Sequence, residues 1–381
     1  MSEASTVPSQ RAPLPKESGA LRFHWMLPQA GEVAMPTPQA AARYRVEQAL
    51  EGSPASRPDL PGWTRFAKAA ETAGIESVLI SFSRHEPDSI LTSCALGQST
   101  EKLRFIVAYR SGLMNPATFV QQMNTLSTLV GGRVAINFVA GSSQGEQHAY
   151  GDFQKHDDRY ARTAEFLDVC QAFWRRGSEK VDHSGPFFRV EQGHFPTPFL
   201  SKNRTSPEIY ASGHSAAASQ LVHSHASCWL RGGETPEKLA PIVAQSRALG
   251  VEVGLRFCVL TRPSREEAVE IADSLIPECQ IGMWGKGRDQ RDDSVMYEQS
   301  AKLKESWLSP TIWTGLVPLC GPVWATLLGT PREVADLLLE YRRIGVSQFI
   351  LSGWPEIEEV ARFGNDVLPL VREGERKLAA A

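Results

Sequence analysis

The residues of this chain that could do chemistry are scattered and form none of the compact catalytic motifs. No GxSxG nucleophile elbow, HExxH zinc helix or Walker phosphate loop is present. That absence has content, because a protein without a visible acid–base pair often leaves its chemistry to a cofactor. Ile209 to Ser215 (IYASGHS) leaves an apolar run, turns at Gly213 and reads on from Ser215 as a helix. Free N–H groups at a helix N-terminus, with a hydroxyl nearby, suit a phosphate. The same pattern describes a plain N-cap serine after a turn glycine, and spacing alone weighs the two readings equally. Phe138 to Ser142 (FVAGS) ends another apolar run in small residues, which let a flat ligand approach the backbone.

Charged candidates follow the same logic. In HDDRY, His156 and Tyr160 put a ring nitrogen and a phenol near a helix start, within reach of a phosphate; Asp157 or Asp158 can equally cap that helix. Arg256 interrupts the apolar segment GLRFCVL, so its charge must either meet a carboxylate or face a polar mouth. Glu86 and Asp88 follow the segment ESVLIS. Asp88 reads as an N-cap, leaving Glu86 and His85 as the groups that could move a proton.

These side chains need a scaffold, and the hydrophobic pattern supplies one. Apolar runs at Leu21–Leu27, Glu76–Ser81, Leu103–Tyr109, Arg133–Ala140, Pro207–Ala211, Ala226–Arg231, Val253–Leu260 and Ser347–Ser352 read as buried strands. Between them lie helical stretches at Trp63–Ala73, after Asp88, from Asn115-Pro116 to Gly131, Asp158–Arg175, Ser215–Ser224, Pro236–Leu249, Ser264–Leu275, Pro331–Arg343 and Glu356–Leu370. Eight continuous apolar strands alternating with helices imply an α/β protein with a parallel sheet, and eight units fit a closed (β/α)8 TIM barrel. A Rossmann-like open sheet is the competitor, but no GxGxxG follows any strand. Two segments break the rhythm, Glu32–Pro61 and Gln280–Cys320. Long irregular connections in a compact domain are lids, binding loops or tolerated excursions. The first reads as an excursion; the second holds Trp284, Trp307 and Trp313, poor choices for a solvated loop, and reads as a functional segment, a lid or a binding loop.

Composition sets the outer bounds. The chain has 381 residues, 42% hydrophobic and 22% charged, as an ordinary globular protein does. A net charge of −3 gives no basic footprint for nucleic acid. No stretch reaches the roughly 20 apolar residues needed to cross a bilayer. The six cysteines include no CxxC and read as reduced thiols, with no metal site. Residues 1–20 lack the apolar core of a signal peptide and read as a disordered leader to one domain over 21–381, in the cytoplasm.

At this point the segments match something specific. WMLP (25–28), ESVLIS, LRFIVAYRSGLMNPATFVQQMNTL, GGRVAINFVAGS, HDDRYARTAEF, IYASGHS and LSGWPEIEEVARFG resemble, in order, the blocks of alkanesulfonate monooxygenases, a branch of the bacterial luciferase-like superfamily of flavin-dependent monooxygenases. The resemblance runs from about Leu21 to about Val371. It implies the same barrel and a two-component system. A separate NAD(P)H-dependent reductase would supply reduced FMN (FMNH2), which reacts with O2 to give a flavin peroxide or hydroperoxide, and the enzyme would be a homodimer or homotetramer. Carried over by position, Asn137 and Ala140 would lie near the flavin, and His156, Tyr160, Ser212, Gly213, His214 and Ser215 around its phosphate. Arg256 would steady negative charge on the oxygen adduct or substrate, and 280–320 would hold the mobile lid.

Departures fall where the substrate would sit. The branch's histidine after the first strand is Ala30 here, its cysteine after the second is Glu86, and the histidine beyond Arg256 is Cys258. Its second arginine falls near Cys320 and its last tyrosine at Trp354. With Gln29, the residues Cys258, Cys320 and Trp354 are therefore the expected substrate contacts. Losing an arginine fork and a phenol argues against a simple alkanesulfonate and for a larger organic substrate, neutral or amine-bearing. Two other readings stay open: a reductase or dehydrogenase using flavin or deazaflavin on this barrel, and a non-catalytic flavin-binding subunit.

Overall fold

Each of the eight apolar segments becomes a strand of one closed parallel barrel. In chain order they are β1 (Arg22–Met26), β2 (Ser77–Ile80), β3 (Arg104–Tyr109), β4 (Val134–Phe138), β5 (Glu208–Ser212), β6 (Cys228–Gly232), β7 (Glu252–Arg256) and β8 (Gln348–Leu351). The ring closes where Arg22 pairs with Gln348 and His24 with Ser77, so β8 and β2 both flank β1. The computed structural model describes residues 14, 19–48, 58–141, 143–176, 179–280 and 294–380. Most of the expected leader, Ser142, and 281–293 of the expected lid, with Trp284, lie outside these residues.

The period of two along each strand sorts side chains to the inside or the outside of the barrel. Inside, charge closes the N-terminal end. Arg22 donates to Glu208 at 2.6 Å and to Glu252 at 2.8 Å, while Arg104 bridges Glu76 at 2.8 Å and Glu208 at 3.1 Å. Above this layer, Gln348 Oε1 meets His24 Nε2 at 3.0 Å and accepts from the Tyr210 hydroxyl at 2.8 Å. An apolar plug of Leu79, Ile106, Ala108, Ala135, Cys228, Leu230 and Ile350 fills the space above. The barrel interior is a packed core, and in such barrels ligands are held at the C-terminal mouth.

Helix starts follow the local chemistry. Asp88, Asn115 and Ser215 cap as their types predict, accepting from Leu91 N, Ala117 N and Ala218 N at 2.8, 3.0 and 3.2 Å. Gly74 and Gly131 end their helices with φ of 79° and 62°. The helix His156–Arg176 begins two residues before its predicted start. Asp157 and Asp158 therefore sit in its first turn, where their charge favours the helix dipole, and neither is the cap.

The predicted strand Val253–Leu260 is two strands. After Arg256 the chain leaves the barrel, and Cys258–Thr261 pairs instead with Thr326–Gly329 in a small sheet that includes Trp307–Ser309 and Ile312–Trp313. Both rhythm-breaking segments pack here. Helix Pro38–Glu47, inside the segment read as an excursion, lies on helix Arg265–Gln280. Ala41, Ala42 and Val46 then join Cys258, Leu260, Trp313, Cys320, Trp324 and Trp354 in a second apolar core beside the mouth.

Candidate active site

Two clusters occupy the C-terminal mouth. The first lies at the ends of β4, β5 and β6. Gly213 holds φ at 123°, and a Cβ there would fall 2.6 Å from the Tyr160 hydroxyl and 2.7 Å from Ala218 Cβ, so the loop admits only glycine. Trp229 Nε1 fixes the same loop by donating to Gly213 O at 3.0 Å. His156 packs its ring 5.0 Å from that of Tyr160. His214 is mostly buried, and burial with the nearby Arg231 charge lowers its pKa to about 4, so the imidazole is neutral at physiological pH. His214 Nε2 and Arg231 Nε are buried without a hydrogen-bond partner. Burial alone lowers the Arg231 guanidinium to about 10, with no carboxylate acting on it among the described residues, and it stacks 4.4 Å from the Trp229 ring centroid. Two orphaned donor-capable groups and a glycine cradle at the start of helix Ala216–His225 are what a phosphate monoester would satisfy.

The rest of this cluster suits a flat ring system. Asn137 is buried on the inner face of β4 between Ala108 and Tyr210, and its Oδ1 has no partner. Ala140 O is held by Arg159 Nε at 2.9 Å and by Gln147 Nε2 at 3.4 Å, which fixes the small-residue turn. Ser212 and Ser215 stand half-buried on the rim. Sequence reasoning names Asn137, Ala140, His156, Tyr160, Ser212, Gly213, His214 and Ser215 but not Arg231 or Trp229. Arg231 reads there only as the last residue of a strand, and the fold lays it across Trp229.

The second cluster lies over β1, β7 and β8. Arg256 is buried, and burial lowers its pKa to about 10. It donates to Phe257 O at 3.0 Å, Ile350 O at 3.2 Å, Ser352 Oγ at 3.1 Å and Met26 Sδ at 3.0 Å. Cys258 Sγ is 3.3 Å from Ser352 Oγ, and Trp354 stacks on Trp324 at 5.1 Å. Cys258, Cys320 and Trp354, the residues expected to contact substrate, pack together in one apolar core, and all three are buried. Gln29 is buried too. Its Oε1 accepts from Ser81 N at 2.6 Å and lies 2.8 Å from Ser81 Oγ, so it ties the β1 and β2 loops together. Ser81 Oγ donates to Glu86 at 2.6 Å, whereas His85 is exposed beside Arg84.

Three residues of this cluster were missed. Arg45, on helix Pro38–Glu47, reaches Met26 Sδ at 3.5 Å and stacks 5.1 Å from the Trp324 ring centroid. Its Nη1 lies 3.6 Å from Glu356 Oε1. Glu356 accepts from Trp25 Nε1 at 2.6 Å and from Gly353 N at 3.1 Å, and burial pushes its carboxyl up to about 7. Glu32 is buried with Oε2 unpartnered, and burial raises its pKa. Helix Val295–Ala301, in the expected lid, brings Met296 Sδ within 3.4 Å of the Cβ position of Gly232 at the end of β6.

A cavity of about 600 Å3 opens at the opposite, N-terminal end among Arg22, Glu76, Arg104 and Glu208. Those charges are mutually paired, and barrel chemistry is built on the loops after the strands, so the mouth is the better candidate.

Comparison with known proteins agrees with this fold. Residues 21–348 match the luciferase-like monooxygenase family. The fold is similar to a riboflavin lyase (RcaE) solved with modified FMN and riboflavin, at 21% identity and TM-score 0.72, over 94% of this chain and 92% of that one. EDTA monooxygenase (EmoA) from Chelativorans sp. BNC1 superposes at 17% identity and TM-score 0.72, over 93% and 94%. The coenzyme F420-dependent tetrahydromethanopterin reductase from Methanopyrus kandleri shares the barrel at 14% identity and TM-score 0.62, over 92% and 99%. At such identities these structures establish the fold alone. The match over most of the chain places it, as an oxidoreductase, in the luciferase-like monooxygenase family.

Proposed function

We propose that the protein is the oxygenase of a two-component system, taking reduced FMN from a separate NAD(P)H-dependent reductase and using O2 to oxidise a small organic substrate. The observation that carries this is the phosphate cradle: Gly213, with orphaned His214 Nε2 and Arg231 Nε beside a helix start, and Asn137 Oδ1 unpaired deeper in the mouth. Reduced FMN, when bound, supplies the electrons that activate O2. The chain's own residues do the rest. Ser212, His214, Ser215, Tyr160, His156 and Arg231 hold the phosphate, and Asn137 and the Ala140 turn orient the ring system. Arg256 sets a fixed positive charge where negative charge develops in the mouth, with little solvent to screen it. Glu86, with Ser81 donating to it, is the group proposed to move a proton, and His85 stays in solvent. Helix Val295–Ala301 closes over Gly232 and keeps water out.

Arg231→Met tests the cradle. Anaerobic titration should show FMN affinity falling by about tenfold, the cost of one charge-assisted phosphate contact, with riboflavin affinity unchanged. Equal loss for both ligands, or for neither, removes Arg231 from the phosphate. Similarity to an F420-dependent reductase favours a second reading, hydride transfer with a deazaflavin, and an oxygen requirement separates the two.

A further inference from the structure

The cradle at Gly213 is held from behind by one indole. Trp229 precedes Arg231 by two residues on β6, and side chains two apart on a strand share a face. That spacing lays the guanidinium over the indole ring, 4.4 Å from its centroid. Trp229 is buried and has two further holds. Its Nε1 donates to Gly213 O at 3.0 Å, and the His223 ring meets it edge-on, with 5.4 Å between centroids and 84° between planes. His223 belongs to helix Ala216–His225, which starts directly after the cradle. One side chain therefore touches the loop, the helix and the guanidinium. The bond to Gly213 O also sets a direction. The Gly213–His214 peptide is planar and trans, so its N–H points opposite to its carbonyl, away from the indole.

We propose that Trp229 is the positioning residue of the phosphate site. It turns the His214 N–H toward the phosphate and holds Arg231 where its unpartnered Nε reaches the same group. A guanidinium already stacked on a ring gives up less freedom when an anion binds, so the indole strengthens phosphate binding without touching it. The inference rests on the proposed function, because it needs a phosphate in the cradle. A residue that only filled the space between β6 and the helix would support every ligand of the mouth equally. A positioning residue acts on the phosphate and leaves the ring system alone.

Titration with FMN and with riboflavin tests it, the ratio of the two affinities being the phosphate's contribution and riboflavin binding the check that each variant is folded. Trp229→Phe keeps a ring and loses the N–H. Its ratio should fall about fivefold, one neutral hydrogen bond's worth, with riboflavin affinity unchanged. Trp229→Leu also removes the face under Arg231 and should lower the ratio further. Adding Arg231→Met to Trp229→Leu should then cost less than Arg231→Met costs alone, because the two side chains act as a unit. A ratio that stays at the wild-type value in both Trp229 variants, or costs that simply add in the double variant, overturns the proposal. Wild type that binds FMN and riboflavin alike is a separate result: it removes the phosphate cradle itself, and this inference with it.

Discussion

Glu356 is the residue where electrostatics and packing pull hardest against each other. It is fully buried, and desolvation outweighs the opposing pull of Arg45, raising its carboxyl to about 7. A folded pKa above the unfolded 4.5 means that the native state prefers the proton. The stability this contributes is present below pH 4.5 and lost as pH rises through 7. Glu356→Gln cannot ionise, so the variant should gain on wild type as pH rises. Urea unfolding at about pH 5 and about pH 8 should show a relative gain on the order of 2 kcal/mol. A difference that does not change with pH would mean the carboxylate is stabilised as an anion by Arg45. Single residues were unequally legible in the sequence. Ser215 and Gly213 could be read because strand, glycine, hydroxyl and helix follow one another within seven positions. Arg45, Arg231 and Glu356 could not, because each gains its meaning from a partner distant in sequence: Met26, His214 and Trp25.

Elements were more legible where the local signal and the tertiary demand agree. All eight barrel strands were found because a parallel strand covered on both faces is apolar throughout, and the caps at Asp88, Asn115 and Ser215 were found because capping is local chemistry. The helix Pro331–Arg343 shows how complete such a signal can be. Thr330 accepts from Glu333 N at 3.3 Å while Glu333 Oε2 accepts from Thr330 N at 2.8 Å, a reciprocal capping box ahead of Pro331. Thr330→Ala should therefore cost about 1 kcal/mol, seen as a lower urea midpoint with the slope unchanged. No loss would mean that the helix start is held by packing alone. What escaped the reading was apolar continuity without structural continuity. GLRFCVL is one hydrophobic run, yet the chain turns out of the barrel at Phe257, because Cys258 finds Ala325 as its backbone partner. The segment 32–61 escaped for the opposite reason: helix Pro38–Glu47 is too polar on average to announce itself, and is held by a second core that exists only once the chain has folded.

At the scale of the molecule, the barrel has a direction. Ion pairs and an apolar plug close the N-terminal end, while orphaned polar groups collect at the other: His214, Arg231, Asn137, Arg45 and Trp354. Native proteins rarely leave that many buried groups unpaired in one region, so the mouth is built for something that completes it. Family membership makes a flavin the natural candidate, and a second apolar core packs beside β7 and β8. The most direct test is rapid mixing of oxygenated buffer with protein that has been loaded anaerobically with reduced FMN, following flavin reoxidation as protein is titrated. The account predicts that reduced FMN binds and that the bound fraction reacts with oxygen at its own rate, distinct from free flavin and growing with occupancy. Reoxidation indistinguishable from that of free flavin at every protein concentration, or bound flavin that oxygen leaves untouched, would contradict it.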